Sequence, residues 1–82
     1  MTEQTSTELE QELRRIVAEL GGFSPDFDAR QNFYHDLGLP SVKALHLLIA
    51  LEDRFGVQIE DQQFIEADSL ENLHSLMARL LG

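Results

Sequence analysis

At 82 residues the chain has room for one domain and a single core, which leaves little space for a large catalytic cleft. Its hydrophobic content of 43% with 26% charged residues is that of a folded globular chain, not a disordered one. A formal net charge of −9, fifteen carboxylates against six Lys or Arg, opposes binding to nucleic acid or to anionic membrane surfaces and favours partners with basic faces.

The chain has no cysteine, hence neither a disulfide framework nor a thiolate metal site. The acidic start Met1-Thr-Glu-Gln-Thr-Ser-Thr-Glu8 does not read as a secretory signal, and no apolar run is long enough to span a bilayer. These features predict a cytoplasmic protein; a monomer that binds no metal is expected.

In chain order, residues 1–5 are expected to form a flexible tail ahead of a single domain, 6–82. Thr7 with Glu10, or Thr5 with Glu8, fits a capping box. Leu9, Leu13, Ile16, Val17 and Leu20 recur on one helical face, and Gly21-Gly22 supplies a left-handed stop. The first helix is therefore placed at about residues 7–20. Residues 21–40 lack a long period, and a connection of that length needs pinning. Phe23, Phe27, Phe33, Tyr34, Leu37 and Leu39 supply the apolar pins. Ser24-Pro25 and the Asp28/Gln31 pair each suggest a short turn.

The second helix is predicted from Ser41 or Val42 to Arg54 or Phe55, ended by Gly56. Val42, Leu45, Leu48, Ile49 and Phe55 form one stripe, and Ala44, Leu47 and Leu51 widen it to more than half the circumference. That breadth predicts a central helix. Val57-Gln58-Ile59 reads as an extended connector. Glu60-Asp61 opens a short helix to Ala67, with Phe64 and Ile65 inward. Asp68 with Glu71 fits the capping box of a last helix carrying Leu70, Leu73, Leu76, Met77 and Leu80. The fold class expected is all-α, with three full helices, one short one and no strand.

Little in this pattern supports catalysis. Ser41 has His35, His46 and His74 as candidate bases, but Leu39-Pro40-Ser41-Val42-Lys43 is not a Gly-x-Ser-x-Gly elbow and has no sheet beneath it. Asp26 and Asp28 lack the glycine and terminal glutamate of a calcium loop. The chain is therefore expected not to be an enzyme. What remains is Ser41 itself, at a helix N-terminus where unpaired N–H groups and the helix dipole favour a phosphate ester. On spacing alone, the commoner role of a serine there, capping the helix, is preferred.

The run Phe33-Tyr-His-Asp36-Leu37-Gly38-Leu39-Pro40-Ser41-Val42, followed by Leu51-Glu52-Asp53-Arg54-Phe55-Gly56-Val57-Gln58-Ile59, resembles the acyl carrier protein family over about residues 7–81. That resemblance implies a four-helix bundle with a long first loop and a short third helix. It implies that Ser41 receives 4′-phosphopantetheine from coenzyme A through a separate transferase, and that the arm's thiol holds acyl groups as thioesters for acyl-loading and acyl-processing enzymes. It places the partner face on Leu39, Pro40, Val42, Lys43, His46, Glu52 and Asp53. The acyl-chain pocket it implies is Val42, Leu45, Ile49, Phe55, Ile59, Phe64, Ile65 and Leu70.

The chain departs from the family's pattern at several positions. Pro40 stands where the family usually has Asp, and Lys43 and His46 occupy positions commonly acidic in fatty-acid carriers. A specialised carrier is expected, in fatty-acid, polyketide or related biosynthesis. An unmodified helical interaction module and an aminoacyl or peptidyl carrier are the alternatives, though Leu39-Pro40-Ser41 differs from the peptidyl signature Gly-Gly-His-Ser.

Overall fold

A computed structural model describes residues 2–82, with side chains from Glu8 onward. It contains four helices: α1 (Thr2–Gly21), α2 (Ser41–Phe55), α3 (Asp61–Glu66) and α4 (Leu70–Leu81). Among the described residues the only extended pairing is an isolated bridge between Asn32 and Ser69. The all-α expectation therefore holds, and so does the long first connection with a short third helix.

Helix α1 packs against α4 and α2, and α3 packs on α4. Its inward face follows the predicted period, with Leu13 and Val17 fully buried and Leu9, Ile16 and Leu20 partly so. The helical backbone starts at Thr2, ahead of the expected Thr5 or Thr7 cap. Residues 2–8 hold neither Gly nor Pro, and extending a helix already nucleated by a packed face costs little. Of the expected tail, Met1 lies outside the described residues. The C-terminal stop is as predicted: Gly22, at φ 74°, turns the chain, and its N–H donates to the Ala18 carbonyl at 2.8 Å.

The connection from Gly22 to Pro40 is fastened along its length. Phe23, Phe27, Phe33 and Tyr34 form a chain of edge-to-face contacts with centroids 5.5, 6.5 and 6.4 Å apart. The Arg14 guanidinium lies 4.8 Å over the Phe27 ring and donates to the carbonyls of Pro25 and Phe27. The two suggested turns are present as turns, not helices. Ser24 Oγ accepts from the Asp26 N–H, and Asp28 and Gln31 bond each other's side chain or backbone.

Two details of the caps differ from expectation. Helix α4 is capped by Ser69, whose buried hydroxyl accepts from the Asn72 N–H at 3.2 Å, in place of the Asp68/Glu71 box. Asp68 is used elsewhere, as described below. Helix α3 begins with a capping box in which Glu60 and Gln63 reciprocate, and Ile65 points to solvent, not inward. A helix of six residues has one buried face, and Phe64 takes it.

Helix α2 carries the largest correction. Its core face is Ala44, Leu47 and Leu51, the residues read as merely widening the stripe. Val42, Leu45 and Ile49, read as the stripe itself, are 58%, 54% and 56% exposed. Both sets obey helical spacing. A helix apolar over more than half its circumference does not declare which part is covered; the packing of α1 and the first loop decides it.

Candidate functional site

The turn before α2 is assembled around Asn32. Its side-chain oxygen accepts from the N–H groups of Tyr34 at 2.8 Å and His35 at 2.9 Å. Its backbone carbonyl accepts from Asp36 and Leu37, and its own N–H donates to the Asp36 carboxylate at 2.8 Å. Such local side-chain bonds make Asn a turn former. The turn is tied to the far end of the chain by three further bonds. Asn32 Nδ2 donates to Asp68 Oδ2 at 3.1 Å, the Phe33 N–H to the Asp68 carbonyl at 2.8 Å, and the Glu71 N–H to the Ala29 carbonyl at 2.9 Å.

Gly38 then takes φ 71°, a conformation that costs an L side chain about 1–2 kcal/mol. This reverses the chain so that the Leu39 N–H reaches the Phe33 carbonyl at 2.8 Å and the Leu39 side chain enters the core at 4% exposure. Leu39, expected on the partner face, is thus an anchor of the turn and not a surface residue.

Pro40 (φ −70°, ψ 153°) occupies the cap position of α2, and its carbonyl accepts from the Ala44 N–H at 3.0 Å. Proline has the extended φ and ψ that a cap position uses and offers no side-chain acceptor. Ser41 is the first residue inside the helix, so it is not the N-cap that spacing preferred. Its exposed hydroxyl takes part in no hydrogen bond among the described residues. The hydroxyls of Ser24 and Ser69, by contrast, are each engaged by a backbone N–H.

The other expected partner residues divide. Pro40, Val42, Lys43, His46 and Asp53 are exposed. Glu52 is half-buried, and its carboxylate accepts from the Ile59 N–H at 2.9 Å, fastening the connector after α2 to the helix. The expected acyl pocket is also split. Ile59, Phe64 and Leu70 are buried and Phe55 is half-buried, whereas Val42, Leu45, Ile49 and Ile65 lie on the surface, Ile65 at 63% exposure. The surface hollows between α1 and α2, between α3 and α4, and around Gln58–Gln63 are lined by other residues than Ser41.

Sequence reasoning passed over Asn32 and read Asp68 as a helix cap, whereas its carboxylate and carbonyl hold the turn before α2. Burial and the nearby Asp68 carboxylate together raise the Tyr34 phenol above its ordinary 10.0, burial contributing more.

Four helices with a long first connection and a short third helix define an acyl-carrier-like bundle. The family model for the phosphopantetheine attachment site matches residues 11–79, and the chain belongs to that family. It is a carrier protein domain, and the prosthetic group of its family is 4′-phosphopantetheine. The surroundings of Ser41 suit such a group: an exposed, uncommitted primary hydroxyl adjoins first-turn N–H groups that have no carbonyl partner within the helix and favour a phosphodiester's charge. No helix among the described residues is long and apolar enough to cross a membrane.

Proposed function

We propose that this chain is a carrier whose Ser41 Oγ is esterified with 4′-phosphopantetheine by a separate transferase using coenzyme A, and that it presents acyl groups to loading and processing enzymes. The observation that carries the reading is the free, exposed Ser41 hydroxyl on a turn held rigid by Asn32, Gly38 and Leu39. The arm supplies the thiol on which acyl groups are held as thioesters. The protein's own part is to fix the attachment point, keep it accessible and raise the local concentration of the cargo for successive enzymes. In this reading the chain is a substrate of its partners and not itself a catalyst.

Pro40, Lys43 and His46 support a specialised carrier over a housekeeping fatty-acid one, because the end of α2 nearest Ser41 has no acidic residue in its first turn. Full-length fatty-acid elongation on this protein by housekeeping synthases would count against that assignment. Among the residues expected to shelter an acyl chain, Phe55, Ile59, Phe64 and Leu70 keep that role in the proposal, since they are the enclosed members. Loading the arm with a medium-chain acyl group should then shift their methyl and ring NMR signals relative to the unacylated form.

Incubation with coenzyme A and a broad-specificity transferase tests the main proposal. Intact mass should rise by one phosphopantetheinyl group, and Ser41→Ala should abolish the gain while leaving the helical circular-dichroism spectrum unchanged. A protein that stays unmodified with several transferases would instead be an interaction module on a carrier fold, the reading that Pro40 favours.

A further inference from the structure

Between Leu37 and Leu51 the chain has no carboxylate, the longest such run in a protein with fifteen. At its borders Asp36 accepts from the Asn32 N–H and Glu52 from the Ile59 N–H, and Asp53 is exposed one turn beyond Ile49, so the carboxylates of α2 lie at the end far from Ser41. Inside the run, Val42, Leu45 and Ile49 are each more than half exposed and follow i, i+3, i+7 spacing, one continuous apolar stripe along α2. His46 borders the stripe, and Lys43 stands exposed on the same first two turns, with no ion pair among the described residues. An acidic protein therefore turns toward Ser41 a face that is apolar and cationic.

We propose that this face docks on a partner protein whose cleft has an apolar floor and carries carboxylates at its rim, placed to meet Lys43 and His46. The proposal rests on the reading of Ser41 as the attachment point, because an enzyme that reaches a group held there must approach over the first turns of α2. Charge complementarity selects the partner's sign: Lys43 offers an ammonium, and His46 offers an imidazole N–H even when neutral. The acidic remainder of the surface repels a carboxylate-bearing rim, so other docking orientations of the same partner are disfavoured. A cleft lined by Lys and Arg would meet a like charge at Lys43, in the first turn of α2, and find its opposite charges at the far end of α2 and on α1 and α3.

The test uses the full isotopically labelled chain and two synthetic amphipathic helical peptides with the same Leu/Ile face, one with glutamates on its polar face and one with lysines. The glutamate peptide should shift the amide signals of residues 42–49. Lys43→Gln with His46→Gln should weaken it roughly two- to fivefold, as expected for exposed charge pairs. Lys43→Glu with His46→Glu should weaken it further and transfer residues 42–49 to the lysine peptide. Circular dichroism confirms the fold of each variant. The proposal is overturned if the lysine peptide shifts residues 42–49 of the wild-type chain as strongly as the glutamate peptide. It is overturned equally if charge reversal leaves the glutamate peptide's affinity unchanged, or if those signals move with protein concentration alone or with anionic phosphatidylserine vesicles. The titration needs no attached group, so its failure is separate from a failure of Ser41 to gain mass.

Discussion

Helix α2 has two apolar faces made of nearly the same side chains. Ala44, Leu47 and Leu51 are sealed into the core, and Val42, Leu45 and Ile49 are left in water. The hydrophobic effect is equally available to both. Only the first is spent on folding. The second keeps its burial energy unused in the isolated domain, available for the docking proposed above, as an exposed patch that a small protein tolerates here beside a net charge of −9. The comparison teaches that a core face and the proposed docking face are written on one helix in one alphabet, separated only by rotation about its axis.

Truncating the inner face should break this division most visibly. Leu47→Ala or Leu51→Ala removes a side chain of 1% or 0% exposure and should cost about 2–5 kcal/mol in denaturant-unfolding measurements. Next in size is the turn that aims the helix. Asn32→Ala strips the Tyr34 and His35 N–H groups of their acceptor and should cost about 1–3 kcal/mol. Modification of Ser41 should slow in the same variant, because the turn loosens while the hydroxyl remains. The outer face should respond oppositely. Leu45→Ala and Ile49→Ala should change unfolding free energy by only about 0.5 kcal/mol or less. Equal losses from the two faces would erase the distinction.

The last effect is confined to alkali and concerns Tyr34, the chain's one tyrosine in a protein without tryptophan. Its phenol is raised above 10.0 in the folded state. The folded protein thus holds this proton more tightly than the unfolded chain. The associated stability is intact below pH 10 and is lost as pH rises through the folded value. Ultraviolet titration of tyrosinate should show a raised midpoint, and Asp68→Asn should lower it without restoring the ordinary value, since burial is the larger cause.

Much of this molecule was legible in its sequence, and the exceptions have physical reasons. The four helices follow from apolar spacing, Gly21-Gly22 and Gly56. The facing of α2 does not, because both candidate stripes satisfy the same period. The start of α4 falls one residue after the expected Asp68/Glu71 box, with Ser69 as its cap. Ser69 wins because the Asp68 carboxylate is drawn to the side chains of Asn32 and Asn72. The Asn32–Asp68 bond joins residues 36 apart and leaves no periodic trace. A local sign did exist, an Asn with an Asp four residues on in a glycine-bearing loop, which is turn chemistry. At Ser41, spacing alone favoured a helix cap; the structure gives the cap position to Pro40 and leaves the serine as the first residue inside the helix.

The Asn32–Asp68 tie also sets an order in time. During synthesis the segment from Asn32 to Ser41 is made, and emerges, ahead of Asp68 and Ser69. Until they emerge, the Phe33 N–H and the Asn32 amide lack the partners that hold the turn in place. The platform in front of α2 is therefore completed from the side of α4, and this domain reaches its mature shape at Ser41 only once Asp68 is in place.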